Sequence, residues 1–454
     1  MRSRSHFFPA LSLLAALMLL TGPVTAKPCP DLGIAPKSEI PSMCATMTVT
    51  MLHDSTRPYL YVANKEAGLK IYGIANPAAP SLAATVPVSD LGKLEVMNLS
   101  QQGNLLFLAI GNHFTNPQAG GMAIVDVTDP AHPVVKDFYI VPGSASGAGI
   151  AKAEGKVAYL GAMQSGLAVL DISDPADIKS LSLFMPDREY PVANPNKDLY
   201  NVRGMEVRNG IAYVAFDAGG LRIVDCRKPD APREIGRFVN PAMYKPLNHA
   251  KAYNNLVLDG NKVYAAVDYC GMEVLDVTDT AAIALTGWWN PYHCPDNNWF
   301  SSPVHANEIQ MDKACRRIFM STGKSDLWIL DVSDPAHPDS CGGYGGEGNA
   351  LGTWGVGLWQ DQIYLSYICT LGIPFASNWT GVKILGFDRA CGTAVRVPRA
   401  TMDPAFYPTA LRMDAAGRLI PTDPFAILAA DPGSRPATPL FRVPPALSPP
   451  VPGP

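Results

Sequence analysis

The sequence predicts an all-β protein, a seven-bladed β-propeller of four-stranded blades with a Pro-rich C-terminal tail. Three observations support this fold class. One phrase recurs seven times, each copy is accompanied by the same short strand-like segments, and segments with helical periodicity are almost absent. Repeats of this length indicate stacked supersecondary units, and four-stranded units repeated about an axis form a propeller.

The recurring phrase is a short apolar strand that ends in an acidic turn. Its clearest copies are "GLAVLDISDPADI" from Gly166 and "GMAIVDVTDPAHP" from Gly121. The other copies begin at Gly68, Gly220, Gly271, Asp326 and Gly381, so that successive starts are 53, 45, 54, 51, 55 and 55 residues apart. This near-constant spacing predicts one blade for each copy.

Further segments complete each repeat. "TVTML" (48–52) and "YLYVA" (60–64) precede the first copy, and "VKDFYIV" (135–141) follows the second. They are rich in Val, Ile, Tyr and Phe and are separated by Gly, Asn, Asp and Pro, which is typical of strands and turns. One blade cannot bury both faces alone, so the blades are expected to close into a ring.

An acid ends the strand in five of the seven copies. We expect its carboxylate to accept backbone N–H bonds in the following turn. A calcium site is a weaker alternative, because each acid belongs to a different blade and separate turns do not converge on one ion. The acids are Asp126, Asp171, Asp225, Asp276 and Asp331, and the first and last copies have Gly73 and Gly386 instead.

The phrase resembles the LVIVD repeat of secreted and surface-attached bacterial and archaeal proteins. The resemblance covers about residues 45–397. It implies a β-propeller, and it implies no catalytic residues.

The chain divides into four segments. Residues 1–26 have the positive start, apolar run and small final residue of a secretory signal peptide, which predicts a periplasmic, secreted or cell-surface protein. The other segments are a cap over 27–44, closed by a disulfide between Cys29 and Cys44, the propeller over 45–397, and a Pro/Ala-rich tail over 398–454.

Charge and cysteine content narrow the function classes. The formal net charge of −4 at pH 7, with scattered charges, argues against a nucleic-acid partner. After the leader, no run approaches the roughly 20 apolar residues of a transmembrane segment. Nine cysteines favour disulfides in an oxidising compartment. Pairing is expected for Cys270 with Cys294 and for Cys341 with Cys391, with Cys315 competing for either of the latter two.

Long insertions are expected on one face, around the mouth of the central channel. They join blades 3 to 7 and cover 185–204, 240–255, 290–309 and 342–355. Long loops on a rigid scaffold are where binding residues usually lie. "LNHAKAY" and "PVHANEI" place His249 and His305 at the start of the innermost strands of adjacent blades.

The candidate site residues fall into three groups. His249, His305 and Glu308 suit acid–base chemistry, and the two histidines suit a divalent metal, the one cofactor that the residues suggest. Arg203 or Lys251 suits a carboxylate or phosphate, with Asn307 beside them. Rings that can stack on a sugar or another flat ligand are Trp299, Phe300, Trp354 and Trp379.

Each group also has a structural alternative. The polar residues can hydrogen-bond one another and channel water, and the rings can pack between blades. His113, in "GNHFTNPQAGG", is expected on the channel-mouth face as a loop residue.

The sequence therefore predicts an exported binding or scaffold protein. Its ligand or partner, a glycan, a small molecule or a protein, is recognised on the channel-mouth face. The alternative is a hydrolase or lyase, with or without a metal, whose site is formed by His249, His305, Glu308 and Arg203.

Overall fold

Seven four-stranded antiparallel sheets, each one blade, form the described part of the chain and confirm the predicted propeller. The computed structural model describes residues 31–114, 116–244, 252–294, 302–371, 375–389 and 391, and the backbone of 411–413 and 419–421. The leader, residues 1–26, lies outside the described residues.

The strands follow the predicted repeat closely. They begin with β1 (Ala35–Ser42), followed in blade 1 by β2 (Thr50–His53), β3 (Tyr59–Ala63), β4 (Leu69–Gly73) and β5 (Ser81–Val86), and in blade 2 by β6 (Val96–Gln102), β7 (Leu105–Ile110), β8 (Gly121–Asp126) and β9 (Val134–Ile140). Blade 3 has β10 (Ile150–Glu154), β11 (Val157–Gly161), β12 (Leu167–Asp171) and β13 (Lys179–Phe184), and blade 4 has β14 (Gly204–Arg208), β15 (Ile211–Ala215), β16 (Leu221–Asp225) and β17 (Arg233–Phe238).

The remaining blades repeat the same order. Blade 5 has β18 (Tyr253–Asp259), β19 (Lys262–Val267), β20 (Met272–Asp276) and β21 (Ala284–Trp289), and blade 6 has β22 (Ile309–Asp312), β23 (Arg317–Ser321), β24 (Leu327–Asp331) and β25 (Asp339–Tyr344). Blade 7 contains β26 (Thr353–Trp359) and β27 (Gln362–Tyr367), then a small hairpin of β28 (Thr370–Leu371) and β29 (Ala376–Ser377), then β30 (Thr380–Gly386). A separate pair, β31 (Leu411–Met413) and β32 (Leu419–Pro421), lies in the tail.

Five short 3₁₀ turns lie in the connections between the described strands. They are Cys44–Thr46, Val88–Asp90, Lys197–Leu199, Pro241–Tyr244 and Asp268–Cys270. Among the described residues, no helix is long and apolar enough to cross a membrane.

Burial follows the position of each strand in its blade. The first strands of neighbouring blades contact one another and surround the channel. The third strands, which carry the recurring phrase, are buried between blades, so that Leu167 to Leu170 of β12 are almost fully inaccessible. The fourth strands form the rim, and alternate residues of β9 face the solvent.

The acidic turns form as predicted. Asp126, Asp171, Asp225, Asp276 and Asp331 each accept a hydrogen bond from the backbone N–H two residues further on, at 2.8–3.1 Å. The carboxylate satisfies an N–H that the sheet leaves unpaired after the third strand ends.

The N-terminal segment closes the ring instead of forming a separate cap over residues 27–44. Strand β1 pairs with β30 and becomes the outermost strand of blade 7. Cys44 is bonded to Cys369, not to Cys29, which lies outside the described residues. The physical reason is that β30 would otherwise be an unpaired edge, and a strand from the other end of the chain covers it.

The other disulfides confirm one prediction and correct another. Cys270 is bonded to Cys294, as predicted. Cys315 is bonded to Cys391, so the predicted Cys341–Cys391 pair was wrong, and Cys341 is itself disulfide-bonded. Cys315 lies in the hairpin between β22 and β23, where its Cα atom is 5.0 Å from that of Cys391 as the chain leaves blade 7.

Candidate ligand site at the channel mouth

A small polar cavity lies at the mouth of the central channel. Its volume is about 30 Å³. Residues of blades 2 to 7 line it, most of them at or just before the start of a first strand, where the backbone enters the ring. The lining residues are Met97, Asn98, His113, Gly149, Met163, Arg203, Asn254, Asn307, Glu308 and Trp354.

Arg203 brings a positive charge to this cavity. Its side chain is 23% exposed, and its Nη1 atom is 3.9 Å from the Oδ2 atom of Asp217. This ion pair is too long for a hydrogen bond, and the guanidinium donates none to the described residues. The Asp217 carboxylate accepts instead from Asn201 Nδ2 at 2.7 Å. Burial raises the pKa of Asp217 to about 6, although Arg203 and Asn201 oppose the shift.

His305 is held rigidly beside the cavity. Its Nε2 atom is 2.9 Å from Asp268 Oδ1, and its Nδ1 atom accepts from Asn307 Nδ2 at 2.9 Å. The rings of Tyr269 and Trp354 lie 4.9 and 5.8 Å from the imidazole, centroid to centroid. These contacts fix the tautomer with the proton on Nε2 and leave neither nitrogen open. Metal binding through His305 would therefore break an existing hydrogen bond.

Glu308 lies in a polar belt that crosses the channel. Its carboxylate accepts from Asn98 Nδ2 of blade 2 at 3.2 Å and from Asn255 Nδ2 of blade 5. Lys152 and Glu206, on the first strands of blades 3 and 4, form an ion pair at 2.9 Å. Burial raises the pKa of Glu308, whereas the Asn255 amide and the charge of Lys152 lower it. Glu308 therefore acts here as an internal acceptor within the belt.

His113 and Asn254 complete the cavity. The sequence placed His113 on this face only as a loop residue, and it did not indicate Asn254. His113 Nδ1 donates to the Ala148 carbonyl at 3.0 Å. Burial, reinforced by the charge of Arg203, lowers the pKa of His113 to about 3, so the ring is neutral at neutral pH. Asn254 Nδ2 donates to the Ala306 carbonyl at 2.7 Å, while its Oδ1 is buried without a partner. The extended connection "GNHFTNPQAGG" was the available signal for His113.

The two aromatic candidates that the structure describes lie in different places. Trp354 lines the cavity, with its ring centroid 5.0 Å from that of Phe114 in an edge-on arrangement. Trp379 instead packs against Tyr367 at 5.3 Å, with the Lys383 ammonium 5.6 Å from its ring. Only Trp354 of these two is brought to the cavity.

Four candidate residues lie outside the described residues: His249, Lys251, Trp299 and Phe300. The predicted pairing of His249 with His305 therefore stays a prediction. In the part of the chain that the structure describes, no group of three or more His, Cys, Asp or Glu side chains is arranged to hold a metal ion.

Comparison with known proteins agrees with the repeat architecture. The model of the LVIVD repeat matches residues 58–88, 96–141, 148–182, 201–239 and 319–345, which fall on blades 1, 2, 3, 4 and 6. The chain is an LVIVD-repeat β-propeller. Arg203 and His113 lie within the matched stretches of this LVIVD-repeat protein. A search of curated proteins found no match.

Solved structures share the fold at low identity. A chain of the structure titled "Crystal Structure of Mitotic Checkpoint Complex" has a TM-score of 0.52 and 11% identity, with 85% of this chain and 99% of that chain covered. The β-propeller domain of Cps50 (Swd1) from Myceliophteria thermophila has a TM-score of 0.52 and 11% identity, with 78% and 99% covered. Identity this low supports a common fold alone.

Proposed function

We propose that this LVIVD-repeat protein is an exported binding or scaffold module that recognises a ligand or partner at the channel mouth. The observation that carries the proposal is the unused hydrogen-bonding capacity of Arg203 in a cavity lined by six blades. A buried polar atom is normally paired, so the unpaired Asn254 Oδ1 favours a polar occupant beside the unused donors of the partly exposed Arg203.

Export is supported by two independent features. The leader-like residues 1–26 predict secretion, and three disulfides are present in the described residues. Disulfides form and persist in oxidising compartments such as the periplasm or the cell surface.

Hydrolysis or lyase chemistry is the second candidate, because the Asp268–His305 contact resembles the orienting half of an acid–base pair. The contact supports binding better than catalysis. The proton of His305 Nε2 points to Asp268, and Nδ1 is occupied by Asn307, so neither nitrogen is open to a reacting group without rearrangement.

The proposal is tested with a panel of glycans and small polar compounds and the protein purified from the periplasm. Thermal shift identifies ligands, and titration calorimetry measures their affinity. Arg203→Ala removes the cavity guanidinium, and Arg208→Ala is the matched control, because Arg208 ends the same strand on the opposite face. We expect at least one ligand to bind the parent and the control but not Arg203→Ala.

Two other outcomes decide against this reading. Binding that is equal in all three proteins would place the ligand elsewhere on the surface. Turnover of a panel compound by the parent, lost in both His305→Gln and Asp268→Asn, would favour the hydrolase or lyase.

A further inference from the structure

The size of the cavity restricts what can enter it. A water molecule needs about 10–15 Å³ of such volume, so about 30 Å³ accommodates roughly two water-sized atoms. A sugar ring or a nucleobase is too large for this space. A group with two adjacent oxygens fits it, while the remainder of its molecule stays outside the mouth.

The charge on one side of the cavity favours an anion. The charges of Arg203 and Lys65 both lower the pKa of His113, although Lys65 is itself paired with Glu66 and Glu95. Gly149 is also needed at this corner, because a Cβ atom would lie 2.7 Å from the Arg203 carbonyl oxygen. The guanidinium of Arg203 therefore lies beside a corner with little side-chain bulk.

The carboxylates around this corner are already engaged. Glu308 accepts from Asn98 and Asn255 and lies in the field of Lys152. Asp217 accepts from Asn201. These acids offset part of the positive field, so a singly charged anion is favoured over a doubly charged phosphate.

We propose that the cavity binds the carboxylate group of a small organic acid through a two-pronged contact with Arg203. This inference rests on the proposed binding function of the channel mouth. A guanidinium offers two parallel N–H donors that match the two oxygens of a carboxylate. Asn254 Oδ1 accepts a hydrogen bond from a hydroxyl of the same ligand or from a water molecule that enters with it. The acid is either free or the uronate of a glycan.

The experiment titrates the periplasmic protein with lactate and acetate as free acids, glucuronate and a uronate oligosaccharide as sugar acids, and glucose and inorganic phosphate as probes without a carboxylate. Calorimetry reports affinity, and NMR of ring-labelled histidine reports the site, with the His113 signal assigned from His113→Gln. We expect a carboxylate to bind with a dissociation constant of about 10 mM or tighter and to shift the His113 signal.

The variants test the contact. Arg203→Ala should weaken carboxylate binding about tenfold or more. Arg203→Lys should weaken it less, because lysine keeps the positive charge but lacks the two parallel N–H donors of the guanidinium. Arg208→Ala should bind like the parent. Binding of lactate or acetate identifies a free acid, and binding of the uronate probes alone identifies a glycan.

Failure of this inference is distinguishable from failure of the proposed function. If glucose, phosphate or a panel glycan binds in an Arg203-dependent way and no carboxylate does, the carboxylate inference is wrong and the binding function stands. If carboxylates bind equally to Arg203→Ala, or leave the His113 signal unmoved, they bind elsewhere and the inference is wrong. If no probe and no panel compound binds the parent, both are wrong.

Discussion

Glu273 is a fully buried carboxylate whose contribution to the stability of the fold depends on pH. It accepts hydrogen bonds from Tyr253 Oη at 2.5 Å and Asn240 Nδ2 at 2.6 Å, so it links the two ends of the blade 4–5 insertion. Burial outweighs both hydrogen bonds and raises the pKa of Glu273 from 4.5 to about 7. Between these values the folded protein binds more protons than the unfolded chain, so the stability contributed by this group falls as pH rises.

Glu273→Gln should remove this pH dependence. The free energy of unfolding of the variant, relative to the parent, should rise between pH 5 and pH 8 by on the order of 3 kcal/mol, because glutamine never ionises. Urea unfolding at several pH values measures the difference. Glu189→Gln, at an exposed position, is the control. Parallel pH profiles for parent and Glu273→Gln would contradict the prediction.

The sequence reveals residues whose partners are local and misses those whose partners are distant. The acidic turns were predictable because Asp171 binds an N–H only two residues away. The environments of His113 and Glu273 were not predictable, because they depend on residues 33 to 90 positions away, such as Ala148, Asn240 and Arg203. His305 was found from the similar ends of two insertions, but its partner Asp268 lies in an ordinary turn.

At the scale of one element, a buried arginine of blade 4 contacts the blade 3–4 insertion. Arg222 of β16 is fully inaccessible, and all of its nitrogens donate: Nε to the Gly219 carbonyl, Nη1 to Glu234 and Nη2 to the Tyr190 carbonyl at 2.7 Å. Its guanidinium also lies 5.1 Å from the Tyr190 ring. The insertion therefore contacts this guanidinium through one backbone oxygen and one ring, and it also contacts blade 4 through the Asp187–Arg237 ion pair and the Tyr200–Phe216 rings.

Arg222→Ala should both destabilise the protein and release the insertion. Removing one partner of a buried ion pair typically costs about 3–5 kcal/mol, and Glu234 would keep only its longer contact with Arg237 at 3.9 Å. Trypsin should then cut faster at Arg188 and Lys197, within the insertion. The matched control is Arg227→Ala in the same blade. Arg227 is exposed, and its buried partner Asp225 keeps an ion pair with Arg233, so about 1 kcal/mol or less is expected.

Two measurements separate these effects. Chemical denaturation gives the loss of stability, and limited proteolysis under native conditions gives the cleavage rate within 185–204. A destabilised Arg222→Ala protein with an unchanged cleavage rate would show that other contacts hold the insertion.

At the scale of elements, repetition made the blades predictable, and the exceptions occur where repetition stops. Strands two to four of each repeat were visible because turn residues separate them. The sequence predicted the face on which the insertions lie. It did not predict the contact of Arg222 with one of them, because a buried arginine in an apolar strand departs from the repeat. Strand β1, with the sequence "APKSEIPS", has two prolines and few apolar residues, and its pairing with β30 could not be predicted from its own residues.

The propeller formed by the described residues is a ring that closes in blade 7. Ile40 of β1 packs in one cluster with Val382 and Ile384 of the same blade and with Leu60 and Val62 of blade 1. The Cys44–Cys369 disulfide, whose cysteines are 325 positions apart in the sequence, links the same junction covalently. A bond across so long a loop restricts the unfolded chain far more than the Cys270–Cys294 bond, which spans 24 residues.

Removing the long-range bond should therefore destabilise the ring more than removing the short-range one. Cys44→Ser/Cys369→Ser should lower the free energy of unfolding by about 2–5 kcal/mol, and the loss for Cys270→Ser/Cys294→Ser should be about 2 kcal/mol smaller in the chain-entropy account. Denaturant unfolding of both variants under oxidising conditions, beside the parent, measures the two losses. Equal losses would show that the junction is held by the β1–β30 pairing and the cluster around Ile40, with the covalent link adding nothing specific to ring closure. A larger loss for the long-range pair would show that the covalent link between blade 7 and the segment before blade 1 itself helps to keep the ring closed. The cavity depends on that closure, because six of the seven blades line it.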